Sequence, residues 1–432
     1  MSRKRSNRTR SETLTEERKT TDRAAYALFA SPRAERIRAN AREMASSDVS
    51  ISDAPFTCRW GFLSCGKIAH DFATALGTAD STHPTKIRHV VRACASASAS
   101  RARAFGETHG VSHQYQHDTH ESFLSCLDTL QQCDIVHVSS LNHQHRHQVL
   151  ALIAAGKNVL CEKPMGVNFE EVEEMLKAAD AAGVFLGEGM WTRFFPAVIH
   201  ARELMESRAI GDVVSAQCDF SFASTPEDSP RLWRNDLGGG GLLDVGCYTL
   251  AMVDMCFRAS ARAVVRSERC KASAIVADGV DVAGGALLAY GKDDNVVGDE
   301  ADEGLATCAW GIAARTEEAC FVAGTEGSIK IMSPMHCPDT VVVTDASGRS
   351  TAKTFPLPPA ARPADVYHYV NSRGLIYEAD AAAECLRRGD REFKEFGWDD
   401  SRRLIRRMDA IREEIGVTYA ADGPTAARSR KP

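Results

Sequence analysis

Between Arg59 and Gly187, short apolar runs alternate with segments whose apolar positions recur three and four residues apart. Runs of four to eight residues read as buried strands, and the wider spacing reads as amphipathic helix. The pattern predicts strands at Trp60–Leu63, Arg88–Cys94, Ile135–Ser139, Asn158–Cys161 and Val184–Gly187. It predicts helices at Lys67–Leu76, Ser100–His109, Glu121–Leu130, Arg146–Ala155 and Phe169–Ala182, the last two stopped by Gly156 and Gly183. Repeated βα units with short connections imply a parallel, doubly wound sheet.

Past residue 187 the rhythm changes. Val213–Phe222 alternates as a half-buried strand does, and further strands are predicted at Ala286–Tyr290, Ala306–Ala313, Ala319–Ala323, Ser328–Met332 and Val341–Thr344. Gly324–Gly327 reads as a hairpin turn. Successive strands with few helices between them imply a mostly antiparallel sheet. Helical periodicity returns at Tyr377–Arg388 and Asp399–Ile415. Residues 1–54, opening on Arg3, Lys4, Arg5, Arg8 and Arg10, are read as a basic, disordered arm, and 421–432 as a disordered tail. The acidic stretch Gly291–Gly304 is read as a solvated loop or insertion.

Composition narrows the class. A chain of 432 residues, 44% hydrophobic and 25% charged, is globular and long enough for two or three domains. A net charge of -6 offers no electrostatic pull towards nucleic acid or an anionic membrane, and neither is expected as a partner. Apolar runs such as Val149–Ala155 fall well short of the ~20 residues that span a bilayer. The 14 cysteines include no C-x-x-C pair and read as small buried hydrophobes of a reducing compartment. The cytoplasm is therefore expected. An organelle transit peptide in the basic arm is the alternative, opposed by Glu12, Glu16 and Glu17.

The first strand-to-helix turn carries the first chemical signal. Gly61-Phe62-Leu63-Ser64-Cys65-Gly66-Lys67-Ile68-Ala69 follows the G-x-G-x-x-G/A spacing, with Ser64 in the first glycine's place and Gly66 and Ala69 in the others. Such a turn presents backbone N–H groups to a pyrophosphate at a helix N-terminus, with Ser64, Gly66, Lys67 and Ile68 as its candidate contacts. Residues 55–187 are thus expected to be a Rossmann dinucleotide-binding domain, and 188–420 an α+β domain with a large, mostly antiparallel open sheet. At the end of the second strand, Cys94–Arg101 holds no acid to bind a ribose 2′-hydroxyl. Ser96, Ser98 and Arg101 are suited to a 2′-phosphate, so NADP is expected and NAD is the alternative. His109, His113 and His117, like His143, His145 and His147, match no metal-ligand pattern, and no metal is expected.

Further motifs are more specific: Val159-Leu160-Cys161-Glu162-Lys163-Pro164, Met190-Trp191-Thr192-Arg193-Phe194-Phe195-Pro196 and Leu242-Leu243-Asp244-Val245-Gly246-Cys247-Tyr248. With the Gly66 turn they resemble the glucose–fructose oxidoreductase (Gfo/Idh/MocA) family over roughly residues 57–420. Together with Phe355–Pro359 and Tyr377-Glu378-Ala379, they look like its branch acting on trans-dihydrodiols and D-xylose. The resemblance implies that Lys163 and Tyr248 flank the nicotinamide and the reacting carbon, with Asp244 beside them. It also implies cofactor contacts from His137, Asn142, His145 and Glu162, with Trp191 and Arg193 as further candidates. Trp191, Phe220 and Tyr369 are candidates for an aromatic substrate wall. One departure is Ala97, which stands where the branch carries an arginine for the 2′-phosphate.

The expected chemistry follows. A free phenol has a pKa of ~10, and a Lys163 ammonium beside Tyr248 is expected to lower it, making the phenol an acid/base. Asp244 is expected to hold Lys163 by a charge-assisted hydrogen bond. The expected function is NADP-dependent hydride transfer to or from a trans-dihydrodiol or an aldopyranose such as D-xylose. The alternatives are a dehydrogenase of another polyol, inositol or amino sugar, and a non-catalytic dinucleotide-binding regulator. A homodimer through the open sheet face is expected, because one face is left without covering helices.

Overall fold

Strands β1 (Phe56–Leu63), β2 (Ile87–Ala95), β3 (Gln116–His117), β4 (Ile135–Val138), β5 (Asn158–Glu162) and β6 (Leu186–Gly189) build a six-stranded sheet in a computed structural model of the chain. The structure describes residues 56–77, 87–260, 264–265, 270–291, 304–359 and 367–423. The expectations for residues 1–54, for most of the 421–432 tail and for the interior of the acidic stretch lie outside these residues. The sheet order is β3-β2-β1-β4-β5-β6, with every pair parallel. The order turns back between β1 and β4, which opens a crevice at the carboxyl ends of those strands. Trp60, Phe62 and Leu63 of β1 and all four residues of β4 are buried, as central strands of a parallel sheet must be.

The connecting helices are α1 (Lys67–Leu76), α2 (Ala99–His109), α3 (His120–Ser125), α4 (Leu127–Gln131), α5 (His145–Ala154) and α6 (Phe169–Ala182). The Asn168 side chain caps α6 by accepting from Glu171 N at 3.0 Å, and Gly183, at φ 68°, closes it. Two expectations change here. The helix predicted over Glu121–Leu130 is two short helices, broken where Cys126 takes an extended backbone. The last strand begins two residues later than predicted and runs to Gly189.

The second half contains α7 (Pro196–Glu206), β7 (Val213–Ser221), α8 (Cys247–Ala259), β8 (Val264–Val265), β9 (Lys271–Ala277), β10 (Val280–Gly291), β11 (Gly304–Gly311), β12 (Cys320–Gly324), β13 (Gly327–Ile331), β14 (Thr340–Asp345) and β15 (Ser350–Thr354). They form a nine-stranded sheet in the order β15-β14-β13-β12-β7-β11-β10-β8, with β9 also paired to β10. Only β7 and β11 run parallel. Helix α8 covers β7 and β11, and α7 crosses β13 and β14. The opposite face bears exposed Ile275, Leu287, Leu305 and Phe321. The helical stretch Asn235–Ala259 is long and apolar enough to cross a membrane, but its most apolar 18-residue window is buried inside the structure.

Helices α9 (Leu375–Arg388) and α10 (Trp398–Ile415) pack back onto the first half, α9 against α1 and α10 against α6. His89 meets Asp380 at 2.8 Å, the Trp398 indole donates to the Leu186 carbonyl at 2.9 Å, and Arg402 pairs with Glu173 at 2.7 Å. These contacts fix the C-terminal helices onto the first half.

Candidate active site

After Leu63 the chain turns at Ser64, whose φ of 95° lies in the region that favours glycine. Ser64 N donates to Ala95 O at 3.0 Å, tying the turn to the end of β2. Gly66 precedes α1 without any side-chain cap, and a Cβ added to it would meet nothing within 4 Å. The N–H groups of the first turn, including those of Lys67 and Ile68, thus have no side-chain cap and carry the partial positive charge of a helix N-terminus. This is the cradle that a pyrophosphate needs. At the end of β2, Ser96 is buried, the Ser98 and Ser100 hydroxyls lie 2.9 Å apart at the surface, and Arg101 and Lys67 are exposed. No carboxylate stands among residues 94–101, so these residues fit a dinucleotide and leave room for an anionic ribose.

Across the crevice, β5 ends in Glu162 and delivers Lys163, joined to Pro164 by a cis peptide. Lys163 Nζ donates to the Asp244 carbonyl oxygen at 2.5 Å, lies 3.7 Å from Asp244 Oδ1, and sits 4.8 Å from the centre of the Tyr248 ring. Asp244 rides on a π-helical turn, Leu242–Gly246, that leads into α8, and Tyr248 belongs to the first turn of α8. The wide turn has a visible support. Buried Asp281 accepts from Leu242 N at 2.6 Å and from the Trp310 indole at 2.8 Å. The preceding glycines are close-packed: a Cβ on Gly239 would sit 2.6 Å from the Arg231 and Leu232 carbonyls, and Gly240 has φ 115°.

Two expectations about this cluster are corrected. Burial pushes the Tyr248 phenol well above 10, and Cys247 and Glu162 add to the rise. The Lys163 ammonium beside the ring does not offset this burial, and the Trp191 indole, donating to Tyr248 Oη at 2.9 Å, opposes the rise only in part. The resting phenol therefore keeps its proton. The second correction concerns Asp244. Its nearest cation is Arg231, with Nη1 2.9 Å from Oδ1, while Lys163 is held chiefly by the Asp244 carbonyl. Burial pushes the Asp244 carboxyl up, but Arg231 and then Lys163 outweigh it and hold the group below its usual range. Arg231 was missed in the sequence because it stands thirteen residues from Asp244 in a loop without periodicity.

Trp191 and Phe220 are buried near Tyr248, and His336 joins them. The His336 ring stacks on Phe220 at 4.2 Å and lies 5.8 Å from the Tyr248 ring. Tyr369 is 43% exposed and within electrostatic range of Arg231, Asp244 and Glu162. Its strap is gripped by buried Asp71 of α1, which accepts from His368 N at 2.8 Å, Tyr369 N at 2.9 Å and the Ser372 hydroxyl at 2.6 Å.

Three predicted cofactor contacts lie elsewhere. His137 is sealed in the core, stacked on Phe72 at 4.5 Å, and reaches the crevice only through Glu162, 3.2 Å from its Nε2. His145 is equally sealed, its ring nitrogens facing the Pro164 carbonyl at 3.0 Å and the Ser140 carbonyl at 3.2 Å, so it braces the loop after Lys163. Arg193 is buried behind α8, donating to Ala251 O at 3.3 Å over the Phe396 ring. Asn142 stays at the crevice and donates to Gly238 O at 2.9 Å. Among the described residues no group of three or more His, Cys, Asp or Glu side chains is placed to hold a metal ion.

Residues 58–190 match the model of the Gfo/Idh/MocA "oxidoreductase family, NAD-binding Rossmann fold", and 198–330 match a C-terminal domain of the same family. A trans-1,2-dihydrobenzene-1,2-diol dehydrogenase of Danio rerio is 33% identical over 365 residues, 84% of this chain and 98% of that protein. The chain belongs to the Gfo/Idh/MocA family. Like the family, it is an oxidoreductase with an NAD(P)-binding Rossmann domain. Among solved structures of similar fold, the aldose-aldose oxidoreductase of Caulobacter crescentus has a TM-score of 0.67 at 23% identity, over 83% of this chain and 97% of that one. A levoglucosan dehydrogenase in complex with NADH and levoglucosan has a TM-score of 0.66 at 18% identity, over 83% and 97%.

Proposed function

We propose that this Gfo/Idh/MocA protein is an NADP-dependent dehydrogenase of a trans-dihydrodiol or an aldopyranose such as D-xylose, with Tyr248 as acid/base. The observation that carries this reading is the meeting of Lys163 from one half with Tyr248 from the other, in a crevice that begins at an uncapped helix N-terminus. The N–H groups after Gly66 would hold the pyrophosphate, and Ser96, Ser98 and Arg101 the phosphorylated ribose. The bound nicotinamide supplies the hydride chemistry. Tyr248, protonated at rest, donates to a carbonyl oxygen in the reducing direction; in the oxidising direction it first gives its own proton to solvent and then, as phenolate, takes up the alcohol proton. Lys163, positively charged beside the ring, favours the phenolate when it forms. Arg231 neutralises Asp244 and so leaves the lysine's charge to the reaction.

A pure dinucleotide sensor needs the cradle but not the Lys163–Tyr248–Asp244 cluster, which favours an enzyme. The relative from Danio rerio acts, by its name, on the dihydrodiol, and that substrate is one arm of the proposal. A homodimer is expected through the open face bearing Ile275, Leu287, Leu305 and Phe321, because burying that apolar surface is favourable. The cytoplasm is its expected compartment, in keeping with fourteen cysteines that include no C-x-x-C pair.

The test is purified full-length protein with NADP⁺ or NAD⁺ and a panel of D-xylose, D-glucose and trans-dihydrobenzenediol, followed at the nicotinamide absorbance. Turnover with NADP⁺ and at least one of the sugars or the diol is expected. Absence of turnover on every substrate of the panel, with either cofactor bound, would reject the proposal.

A further inference from the structure

We infer that His336 makes this pocket selective for a polyhydroxylated ring, an aldopyranose, over the largely apolar ring of a dihydrodiol. The inference rests on the dehydrogenase reading and narrows its substrate. His336 lies between β13 and β14, and the Thr192 hydroxyl donates to its carbonyl oxygen, which locks it to the turn that carries Trp191. Its ring stacks on Phe220 with 9° between planes and stands 5.8 Å from Tyr248 and 5.9 Å from Trp191, centre to centre. It is therefore one panel of the wall that faces the acid/base.

The panels differ in the hydrogen bonds they have left to offer. Phe220 has none, and the single donor of Trp191 is spent on Tyr248 Oη. His336 is the exception. Its buried Nδ1 has no hydrogen-bond partner, and the nearest carboxylate oxygen, Glu318 Oε2, stands off at 3.9 Å. Burial, reinforced by the charge of Lys163, drops the imidazole to about 3, so at neutral pH the ring carries one N–H donor and one lone pair. Glu318 on the Nδ1 side favours the proton there, which leaves Nε2 as an acceptor for a ligand hydroxyl.

Such a wall is expensive to cover with hydrocarbon and cheap to cover with hydroxyls, because an apolar neighbour strips water from the imidazole and returns nothing. A trans-dihydrodiol brings two hydroxyls, one of them at the reacting carbon, and presents bare ring elsewhere. An aldopyranose carries hydroxyls around its whole rim and can reach the imidazole while another carbon sits at Tyr248.

The test is the ratio of kcat/KM for D-xylose to kcat/KM for trans-dihydrobenzenediol, measured on one preparation each of wild type, His336→Phe and His336→Gln. Inactive protein cancels in such a ratio. His336→Phe is expected to lower it at least ~10-fold, while His336→Gln, which keeps a donor and an acceptor, stays within a few-fold of wild type. An unchanged ratio in His336→Phe overturns the inference, as does wild-type enzyme that oxidises the diol and ignores the sugar. Should neither variant fold, wild type is assayed on 2-, 3- and 4-deoxy analogues of D-xylose. One of them must lose at least ~10-fold in kcat/KM, and equal rates on all would reject the role of His336. No turnover of any sugar or diol by wild type is a separate failure, that of the dehydrogenase reading itself.

Discussion

Replacing Arg231 with glutamine removes the nearest cation of Asp244 while keeping a polar side chain of similar reach. The two charges stand 2.9 Å apart, and Lys163 stands 3.7 Å from the same oxygen. At an effective dielectric of ~20 these separations correspond to about 6 and about 4.5 kcal/mol of gross attraction. Solvent reduces the first, because the Arg231 side chain is 44% exposed, so about 1–3 kcal/mol is a reasonable net loss. Without Arg231, Lys163 becomes the only counterion, among the described residues, of a carboxylate whose side chain is 11% exposed. Its ammonium is drawn from the Asp244 carbonyl and the Tyr248 ring towards the carboxylate, and Tyr248 loses the charge that favours its phenolate. A loss of about 1–3 kcal/mol in the transition state lowers kcat roughly 5- to 150-fold. Steady-state kinetics at saturating cofactor should show the drop in kcat, fluorescence titration should show cofactor affinity retained, and Arg231→Lys should recover part of the rate. The acid side moves as well. In wild type the Asp244 carboxyl is depressed, so its contribution to stability is present above its unfolded value of 3.8 and disappears as pH falls through its lower folded value. In Arg231→Gln that loss should begin at higher pH. A folded Arg231→Gln enzyme with kcat within twofold of wild type would refute this account of how Lys163 is placed.

Three further outcomes are expected. Tyr248→Phe should lower kcat by ~10²-fold or more with cofactor affinity kept, and unchanged turnover would remove Tyr248 from the mechanism. Ser98→Asp should weaken NADP⁺ more than NAD⁺ in cofactor titrations, and equal effects would place the 2′-phosphate elsewhere. Burial raises the Asp281 carboxyl from 3.8 to about 6, so the stability of its protonated form is complete below 3.8 and is lost as pH rises through 6. That loss amounts to ~3 kcal/mol, at ~1.4 per unit, and urea midpoints at pH 4 and pH 8 should differ less in Asp281→Asn than in wild type; an identical difference would assign the slope to other groups.

Legibility followed the strength of the local signal. Helices α1 and α6 stand where their periodicity places them, because each buries one face of apolar residues and stops at a breaker. Strand β11 alternates buried and exposed residues along its length and was equally readable. By contrast, β15 is Ser-Thr-Ala-Lys-Thr with every residue exposed, and β3 is two polar residues held by the edge of a finished sheet. Neither carries a pattern, since both form only because a neighbouring strand offers free hydrogen bonds. Helix α7 announced itself through Pro196 at its first position, yet it sits among strand signals and was passed over. In the candidate site, Lys163, Asp244 and Tyr248 were legible because they lie in dense motifs. Arg231 and His336 were not, because each is a single residue in a loop whose value comes from what lies across the crevice. His137 and His145 erred the other way: the motif that suggested them sits near the crevice, but strand parity turns the first into the core, and the second is spent on two carbonyls.

The same reasoning explains why the crevice holds its shape between two halves. Ties that cross it include Lys163 Nζ to the Asp244 carbonyl, Asn142 Nδ2 to the Gly238 carbonyl, and, third, Asp71 to the strap around Tyr369. The third links residues 297 to 301 positions apart, and its carboxylate lies one turn beyond the phosphate cradle on the same helix. A buried carboxylate that accepts three hydrogen bonds is satisfied only while the strap stays docked, and freeing it would leave a desolvated charge. On the proposed function, the helix that would receive the cofactor's phosphates also fixes the strap that carries Tyr369. In physical terms, the turn at Gly66 and the segment that carries Tyr369 are tied through one helix, α1.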